Sequence, residues 1–368
     1  MNHPALLLGN FRRDERVALS VAASQATLDL CIVETLKEAS DWMQRNEPAV
    51  LLVEDSAKSA EGLCLEARSH ARHATVPIMA LARDLDDLSF AEAFSWGGDD
   101  VVKLSEMRAL LARLRALPAR QSSRMSAAGR GFALVADGDR TRRVVLARVL
   151  QNAGYEIMFA VTPDDTVKFS QDEKVKVVVV SAELHDTPAE SVRRGQEGGS
   201  QAIWIITAAP RKISEHREAL SNLEKAAVTD GFAPPENVVF LANELMRGSS
   251  TDNRASRRLL FGTQVMFRNA GSDRDDVGYT YNLSEGGLYV RTLAPPQEDK
   301  VWLELTPPRS DRRVRVEGEV VWRRAFGPGI GATVPPGFGV RISDGCAADL
   351  DLWKDRYQCF AEVLGLAA

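Results

Sequence analysis

The chain is poor in the features that build cross-links, zinc sites and membrane spans. Its four cysteines are scattered and form no C-x-x-C pair, so reduced thiols are expected rather than a disulfide framework or a zinc site. No apolar run approaches the ~20 residues that cross a bilayer. The first residues lack the basic segment that precedes the apolar part of a signal peptide. These absences favour a cytoplasmic protein without an integral membrane segment.

Recognisable catalytic motifs are also missing. There is no Gly-rich phosphate loop of the Walker type, no H-E-x-x-H and no nucleophile elbow, and the five histidines do not cluster. We therefore expect a protein that is not an enzyme, with no catalytic residue, no metal and no cofactor. The net charge of −5 supplies no overall basic field, which argues against DNA or RNA as a partner.

The length of 368 residues is sufficient for two or three domains, each with its own core. Two segments rich in Ser, Gly and Arg lack periodic apolar residues, as connectors do. They lie at residues 118–130 and 247–253. They predict three domains, at residues 1–117, 131–246 and 254–365.

The first two domains alternate short β-branched or leucine-rich runs with amphipathic helical stretches. This alternation predicts a doubly wound α/β fold, in which helices cover both faces of a parallel sheet. In the first domain the predicted strands are residues 5–8, 49–53, 78–82 and 101–102. In the second they are residues 132–136, 175–180, 202–207 and 226–229.

The third domain has short strand-like runs with turn residues between them and no intervening helix. Such a pattern predicts a small antiparallel β-barrel or closed sheet. The predicted strands are residues 258–268, 277–282, 287–292, 301–305, 314–323 and 338–342, with a long irregular loop at 327–337. A C-terminal helix at 347–363 has large apolar residues at three- and four-residue spacing and is expected to cap one barrel mouth. Trp302, Trp322 and Trp353 are interpreted as buried core aromatics, and the other three tryptophans as packing residues.

Short runs in both α/β domains resemble one known family. In the second domain, the run from Ala133 to Asp139 and the basic pair Arg142-Arg143 resemble the first strand and helix of response-regulator receiver domains. In the first domain, the run from Gly97 to Lys103 and the helix at 110–115 resemble the last strand and helix of that family. The resemblance implies a five-stranded, flavodoxin-like sheet in each domain.

Most residues that carry receiver chemistry are replaced. The family uses two acids for Mg²⁺, an acceptor Asp, a Thr or Ser, and a Lys, which converge on one phosphoryl group. In the first domain these positions fall on Gly9 and Asn10, Glu54 or Asp55, Ala82, and Lys103. In the second they fall on Asp137 with Gly138 or Asp139, then Ser181, Thr207 and residues 231–235. Both domains are interpreted as pseudo-receivers that serve protein interaction, and Asp55 is kept as a candidate phosphoacceptor.

Two motifs occur in fixed order in the third domain. The first is R-x-x-x-R at residues 254–258, and the second is N-x-S-x-x-G at residues 282–287, between two strand-like runs. With the strand sequences at 318–323 and 337–342, they make the domain resemble PilZ domains, the bacterial receptors for cyclic di-GMP. The resemblance implies that Arg254 and Arg258 are the main ligands. Arg257 lies inside the motif spacing and could substitute or assist. The resemblance also implies a floor formed by Asn282, Ser284 and Gly287.

The residue types suit this ligand. A planar guanidinium can pair with two acceptors of guanine or of a phosphate, and it can stack on a purine. Asn282 and Ser284 offer a donor and an acceptor, while Gly287 removes a Cβ where a base would pack. An arm that follows a connector could become ordered on binding and re-aim the preceding domains. The alternatives are a solvated arginine tether and a hairpin turn that binds nothing.

These observations support three functional hypotheses. The leading one is a non-enzymatic cyclic di-GMP effector that acts on signalling or motility proteins through its receiver-like domains, in motility, polysaccharide or developmental control. The second is a phosphorylation-dependent response regulator that uses Asp55, and the third is an interaction scaffold without a ligand. Loss of acetyl-phosphate labelling in Asp55→Asn would identify the second. The sequence leaves open whether the chain forms a homodimer.

Overall fold

The computed structural model describes residues 2–55, 59–70, 72–117, 129–185, 187–231, 233–247, 256–269, 272–327 and 334–364. They form two parallel α/β units followed by a closed antiparallel barrel and a terminal helix, which confirms the predicted fold class. The predicted connectors at 118–130 and 247–253 lie mostly outside the described residues, and the domain boundaries stay predictions. None of the helices in the described ranges combines the length and apolar character needed to traverse a lipid bilayer.

The first unit is a five-stranded parallel sheet in the order β2-β1-β3-β4-β5, with helices on both faces. Its strands are β1 (His3–Leu8), β2 (Leu28–Val33), β3 (Val50–Glu54), β4 (Ile78–Ala82) and β5 (Asp100–Lys103). Its helices are α1 (Arg13–Gln25), α2 (Leu36–Arg45), α3 (Ala60–Ser69), α4 (Asp87–Ser95) and α5 (Met107–Ala116). The central strands β3 and β4 are buried along their whole length, as expected for a sheet covered on both faces.

The second unit repeats this architecture in the order β10-β9-β8-β6-β7. Its strands are β6 (Phe132–Ala136), β7 (Glu156–Ala160), β8 (Val175–Ser181), β9 (Ile203–Ala208) and β10 (Ala226–Asp230). Its helices are α6 (Arg140–Asn152), α7 (Pro163–Ser170), α8 (Pro188–Glu197), α9 (Ile213–Leu220) and α10 (Glu236–Arg247). The strands β2 and β7 were not predicted from the sequence. Both are edge strands and only partly buried.

The barrel is a ring of six strands in the order β13-β12-β15-β16-β17-β14, closed by pairing between β14 and β13. The elements are β11 (Leu259–Leu260), β12 (Gln264–Asn269), β13 (Asp276–Ser284), β14 (Gly287–Arg291), β15 (Lys300–Leu305), β16 (Val314–Arg324), β17 (Gly337–Gly345) and α11 (Ala347–Val363). The prediction of a single strand at 258–268 is wrong, because the strand is interrupted between β11 and β12. At that break Gly262 passes so close to the ring of Tyr279 that a Cβ would lie 2.7 Å from it.

The terminal helix α11 coincides with its predicted range and packs on the barrel core through Trp353 and Tyr357. The predicted burial of two other tryptophans is wrong. Trp302 is 50% exposed and Trp322 is 48% exposed, since both lie on the outer face of the barrel. Alternation along a strand sets which face a residue lies on, but it does not say which face is covered.

The barrel packs against the first unit through aromatic and apolar side chains. Tyr279 on β13 stacks on Phe90 of α4, with ring centroids 5.0 Å apart, and meets Phe94 edge-on at 5.7 Å. Leu293, just after β14, is 2% exposed within the core cluster of the first unit. The two hydrophobic cores are therefore continuous across this contact.

A buried ion network lies beside this apolar contact. Arg113 of α5 bonds Asp100 of β5 at 2.8 Å and Asp276 of β13 at 2.9 Å. Its third bond, of 2.6 Å, goes to the carbonyl of Val277. Because the carboxylates come from two units, this one guanidinium joins β13 to the first unit.

The second unit reaches the same strand pair from the other side. The hydroxyl of Tyr281 on β13 donates to the carbonyl of Glu236 on α10 at 2.7 Å, and its ring meets Phe240 edge-on at 5.9 Å. We call the junction the region where β13 and β14 contact α4, α5 and β5 of the first unit and α10 of the second. All three units thus meet along one hairpin of the barrel.

Candidate functional site

The two predicted motifs of the barrel lie side by side. The strand β11 pairs with β13 such that Leu260 lies opposite Asn282 and Leu259 lies opposite Leu283. The backbone N–H of Glu285 donates to the Ser256 hydroxyl at 3.3 Å. The end of the arginine arm therefore runs along the strand that leads into the N-x-S-x-x-G turn.

The terminal helix holds both segments. The indole N–H of Trp353 donates to the carbonyl of Glu285 at 2.8 Å, and the hydroxyl of Tyr357 donates to the carbonyl of Arg257 at 2.9 Å. Burial raises the pKa of Tyr357, so this hydroxyl stays protonated and able to donate at neutral pH. The helix is thus a support against which arm and turn are aligned.

The arginines of the arm differ in what the structure says of them. Arg257 and Arg258 are exposed at the edge of the barrel next to the turn. Arg254, predicted as a main ligand, lies outside the described residues. Two exposed arginines therefore lie beside the turn, where a phosphate or a guanine edge could meet them.

The polar floor residues are not equally accessible. Asn282, which lies opposite Leu260 of β11, is only 3% exposed, whereas Ser284 is partly exposed. The Ser284 hydroxyl donates to the carbonyl of Gly287 across the turn at 3.3 Å. Ser284 thus closes the turn, whereas Asn282 is buried on the strand beside β11.

The glycines of the turn have different surroundings. A Cβ at Gly287 would lie 2.1 Å from the carbonyl oxygen of Val340, because β17 pairs closely with β14 there. A Cβ at Gly286 would meet no atom of the described residues within 4 Å, its chain neighbours apart. Gly287 is thus required by strand packing, and its role beneath a base stays a prediction. The open space lies at Gly286.

The position of the phosphoacceptor in the first unit is occupied by an ion network. Glu54 accepts from the backbone N–H of Asn10 at 2.9 Å and from Arg83 at 3.1 Å. Arg83 also bonds Glu15 at 2.7 Å, and this bond is the main cause of a raised Arg83 pKa. A cation of the protein itself therefore neutralises the carboxylates at this strand edge. Asp55, the candidate phosphoacceptor, follows β3 and donates its N–H to the Leu81 carbonyl at 3.1 Å.

An arginine has a similar position in the second unit. Asp137, at the end of β6, is 1% exposed and accepts two bonds from Arg142, at 2.9 and 3.1 Å. Arg142 also reaches Glu183 at 2.5 Å, and its bond to Asp137 is the main cause of its raised pKa. Among the described residues no group of three or more His, Cys, Asp or Glu side chains could hold a metal ion.

Arg291, the central residue of the junction, was not identified from the sequence. Its side chain is 1% exposed and donates to the carbonyl of Gly98 at 2.8 Å, while its guanidinium lies 3.5 Å above the ring centroid of Phe94. A bond of 3.3 Å to Glu236 joins it to the second unit. The sequence signal for it was an arginine in an otherwise apolar strand. A charged residue in such a position is rarely buried unless it has a partner.

Comparison with known families identifies the third domain. Residues 252–351 match the family described as PilZ domain, a range that includes both motifs. No curated protein matches the chain. Residues 252–351 thus form a PilZ domain, and two receiver-like domains precede it, as the sequence resemblance predicted.

Solved structures give remote likenesses only. The inhibitor of motility (MotI/DgrA) of Bacillus subtilis is 18% identical with a TM-score of 0.25, over 31% of this chain and 53% of that chain. The PilZ domain of CeSA from a cellulose-synthesizing bacterium is 19% identical with a TM-score of 0.21, over 30% of this chain and 98% of that one. The response regulator RPA3017 of R. palustris is 15% identical with a TM-score of 0.26, over 31% and 90%. The chain thus spans about half the length of the Bacillus protein. Sequence identities and TM-scores this low indicate only a distant similarity to all three proteins.

Proposed function

We propose that the protein is a non-enzymatic effector of cyclic di-GMP. The ligand binds where the arginine arm, Arg254 to Arg258, meets the turn formed by Asn282, Ser284 and Gly287. Binding changes how the barrel holds the two receiver-like units, and these units carry the change to a signalling or motility protein. The proposal is supported by the family match over both motifs.

The observation that carries the proposal is the pairing of β11 with β13. It brings the exposed Arg257 and Arg258 next to the turn that contains Ser284. Without this pairing the two motifs would be independent segments. With it they line one edge of the barrel, and the open space at Gly286 lies beside them.

Charge and shape support a doubly anionic ligand. Cyclic di-GMP carries two phosphates and two guanines, and an arginine can bind either group with two parallel hydrogen bonds. Such a pair contributes roughly 1–3 kcal/mol. Arginine also stacks on purines, which a lysine does less well. These properties suit an arm that presents several guanidinium groups in one short segment.

Use of Asn282 as a ligand requires its surroundings to move. At 3% exposure the amide is closed off from solvent, and Leu260 of β11 lies opposite it on the neighbouring strand. Residues 257–260 are therefore the adjacent segment that we expect to move when a ligand engages Asn282. Because β11 has only two residues, few hydrogen bonds oppose that change.

The hairpin β13–β14 is the route by which such a change would spread. Its turn carries the ligand motif, while the end away from the turn carries Tyr279 and Arg291, which contact the receiver-like units. A shift of the turn therefore alters strand residues that bridge three units. This connection gives the effector hypothesis a physical path, whereas no separate observation favours phosphorylation at Asp55.

Calorimetric titration of the full chain with cyclic di-GMP tests the proposal. We expect one or two ligands per chain, and no binding in Arg254→Ala/Arg258→Ala. Arg258→Ala alone should weaken binding roughly 30- to 150-fold, because the loss of one paired arginine costs ~2–3 kcal/mol. Arg313→Ala, which removes an exposed arginine paired with Glu304 before β16, is the matched control and should bind as the unaltered chain does.

The result that overturns the proposal is the absence of heat from a chain whose circular dichroism and cooperative unfolding show it to be folded. Equal loss of binding in the control and in Arg258→Ala would also contradict it, because the effect would then reflect general charge. In either case the barrel would be an interaction module without this ligand.

A further inference from the structure

A cavity of about 70 Å³ lies where the three units meet. The first unit contributes Thr75 and Asp99 to its lining, the second contributes Arg148 and Glu236, and the barrel contributes Arg324. On this measure a water molecule needs ~10–15 Å³, so the cavity has room for several waters or one phosphate-sized group. It is separate from the arm and turn described above.

The charges around the cavity do not balance. Each of its two carboxylates already bonds an arginine that does not line the cavity. Asp99 bonds Arg68 at 2.7 Å, and Glu236 bonds Arg291 at 3.3 Å. The two arginines of the lining, Arg148 and Arg324, are left over.

Among the described lining residues no further carboxylate is available to balance Arg148 and Arg324. Four arginines therefore face two carboxylates, an excess of two positive charges. The ion network of Arg113, Asp100 and Asp276 carries one net negative charge. None of these three side chains lines the cavity.

Arg148 lacks the partners that a buried cation needs. It is 9% exposed, and its Nε has no hydrogen-bond partner among the residues that the structure describes. Its nearest carboxylate contact is with Asp99 at 3.9 Å, which is long for a hydrogen bond. Burial lowers the pKa of Arg148 to about 9, as expected for a charge that has lost water without gaining a counter-ion.

Arg324 is in a related situation. It donates to the backbone carbonyl of Val334 and makes no ion pair among the described residues. Burial lowers its pKa as well. Asn152 and Thr75 add an amide and a hydroxyl to the lining, so neutral donors accompany the two cations.

We propose that this cavity binds a phosphate-type oxyanion, held by Arg148 and Arg324 with Asn152 and Thr75 as neutral donors. The anion supplies the missing negative charge and ties all three units together. Free inorganic phosphate and the phosphate of a nucleotide share this chemistry, and the cavity volume admits one phosphate group. The proposal does not depend on cyclic di-GMP binding at the arm.

Thermal unfolding of the full chain, with inorganic phosphate compared with chloride at equal ionic strength, tests the proposal. A ligand that binds only the folded state raises the midpoint in proportion to the logarithm of its concentration above Kd. We expect a phosphate-specific rise that is absent in Arg148→Gln. Arg193→Gln, an exposed arginine on α8 of the same unit, is the matched control and should keep the rise. This control also accounts for general stabilisation by phosphate salts.

Arg324→Gln serves if Arg148→Gln does not fold, and it should also lose the phosphate-specific rise. Arg254→Ala/Arg258→Ala should keep the rise, so failure at this cavity and failure at the arm can be told apart. A parallel series with AMP identifies the source: a response to AMP alone, lost in Arg148→Gln, assigns the site to a nucleotide phosphate. Equal midpoints in phosphate, AMP and chloride, or equal responses of Arg148→Gln and Arg193→Gln, would overturn the proposal.

Discussion

Arg291 bonds or contacts groups of both receiver-like units from a strand of the PilZ domain. A buried guanidinium is expensive to desolvate, and it is tolerated here because carbonyls, a carboxylate and an aromatic face surround it. Removing the cation while its partners stay buried leaves the Glu236 carboxylate and the Gly98 carbonyl without a donor. The side chain therefore matters more for holding units together than for folding the barrel.

We predict that Arg291→Gln destabilises the chain by ~3–5 kcal/mol, the usual cost of breaking a buried ion pair on one side. Because the loss is confined to the junction, urea unfolding should separate into more than one transition. The control is Arg315→Gln, since Arg315 is 77% exposed and pairs with Glu304 on the surface. Its cost should be below ~1 kcal/mol. Equal costs for the two variants would contradict the importance of the junction.

At the scale of elements, the hairpin β13–β14 marks how far the sequence could be read. Both strands, the turn and its motif were predictable, because alternation, turn residues and spacing are local properties. The two-residue strand β11 was not, since its pairing with β13 depends on a contact more than twenty residues along the chain. Likewise, the burial of Asn282 and Arg291 depends on neighbours that no periodicity reveals. The fold was therefore more predictable than the accessibility of the site.

The two glycines of the turn allow a sharp test of this hairpin. We predict that Gly287→Ala destabilises the barrel, because the new Cβ would lie 2.1 Å from the Val340 carbonyl and must push β14 away from β17. Overpacking of this kind typically costs ~1–3 kcal/mol. Gly286→Ala, whose Cβ has no neighbour within 4 Å in the described parts of the chain beyond the adjacent residues, should change stability by less than ~0.5 kcal/mol. Urea midpoints of the two variants measure the difference, and equal midpoints would contradict the packing argument.

At the scale of the whole molecule, each α/β unit has an arginine of its own at the sheet edge where the receiver resemblance would place Mg²⁺. This arginine is Arg83 in the first unit and Arg142 in the second. The sequence indicated the loss of the Mg²⁺ site through missing acids, but it did not indicate which side chains fill the space. The same is true of the junction: three domains were expected, yet their mutual packing depends on side chains from all of them. Packing between domains is a property of surfaces, which local sequence patterns describe poorly.

The tyrosines report on that packing, and we predict that the folded chain resists tyrosine ionisation. All five tyrosines have a raised pKa, and burial is the main cause for each, including Tyr279 and Tyr281 at the junction. An unfolded tyrosine ionises near pH ~10. Above that pH the unfolded chain loses protons that the folded chain retains, so the free energy of unfolding falls as pH rises.

Absorbance of tyrosinate between pH 9 and 12 measures this directly, with the chain in guanidinium as the unfolded reference. The folded chain should titrate well above the reference. In Arg291→Gln the junction loosens, so Tyr279 and Tyr281 should gain water and titrate earlier, while Tyr155 in the core of the second unit should not. Tyr279→Phe/Tyr281→Phe in the Arg291→Gln background identifies their share of the signal. If Tyr279 and Tyr281 ionise near pH ~10 in the unaltered folded chain, the three units are not packed in solution as described, and the hairpin could not relay a signal between them.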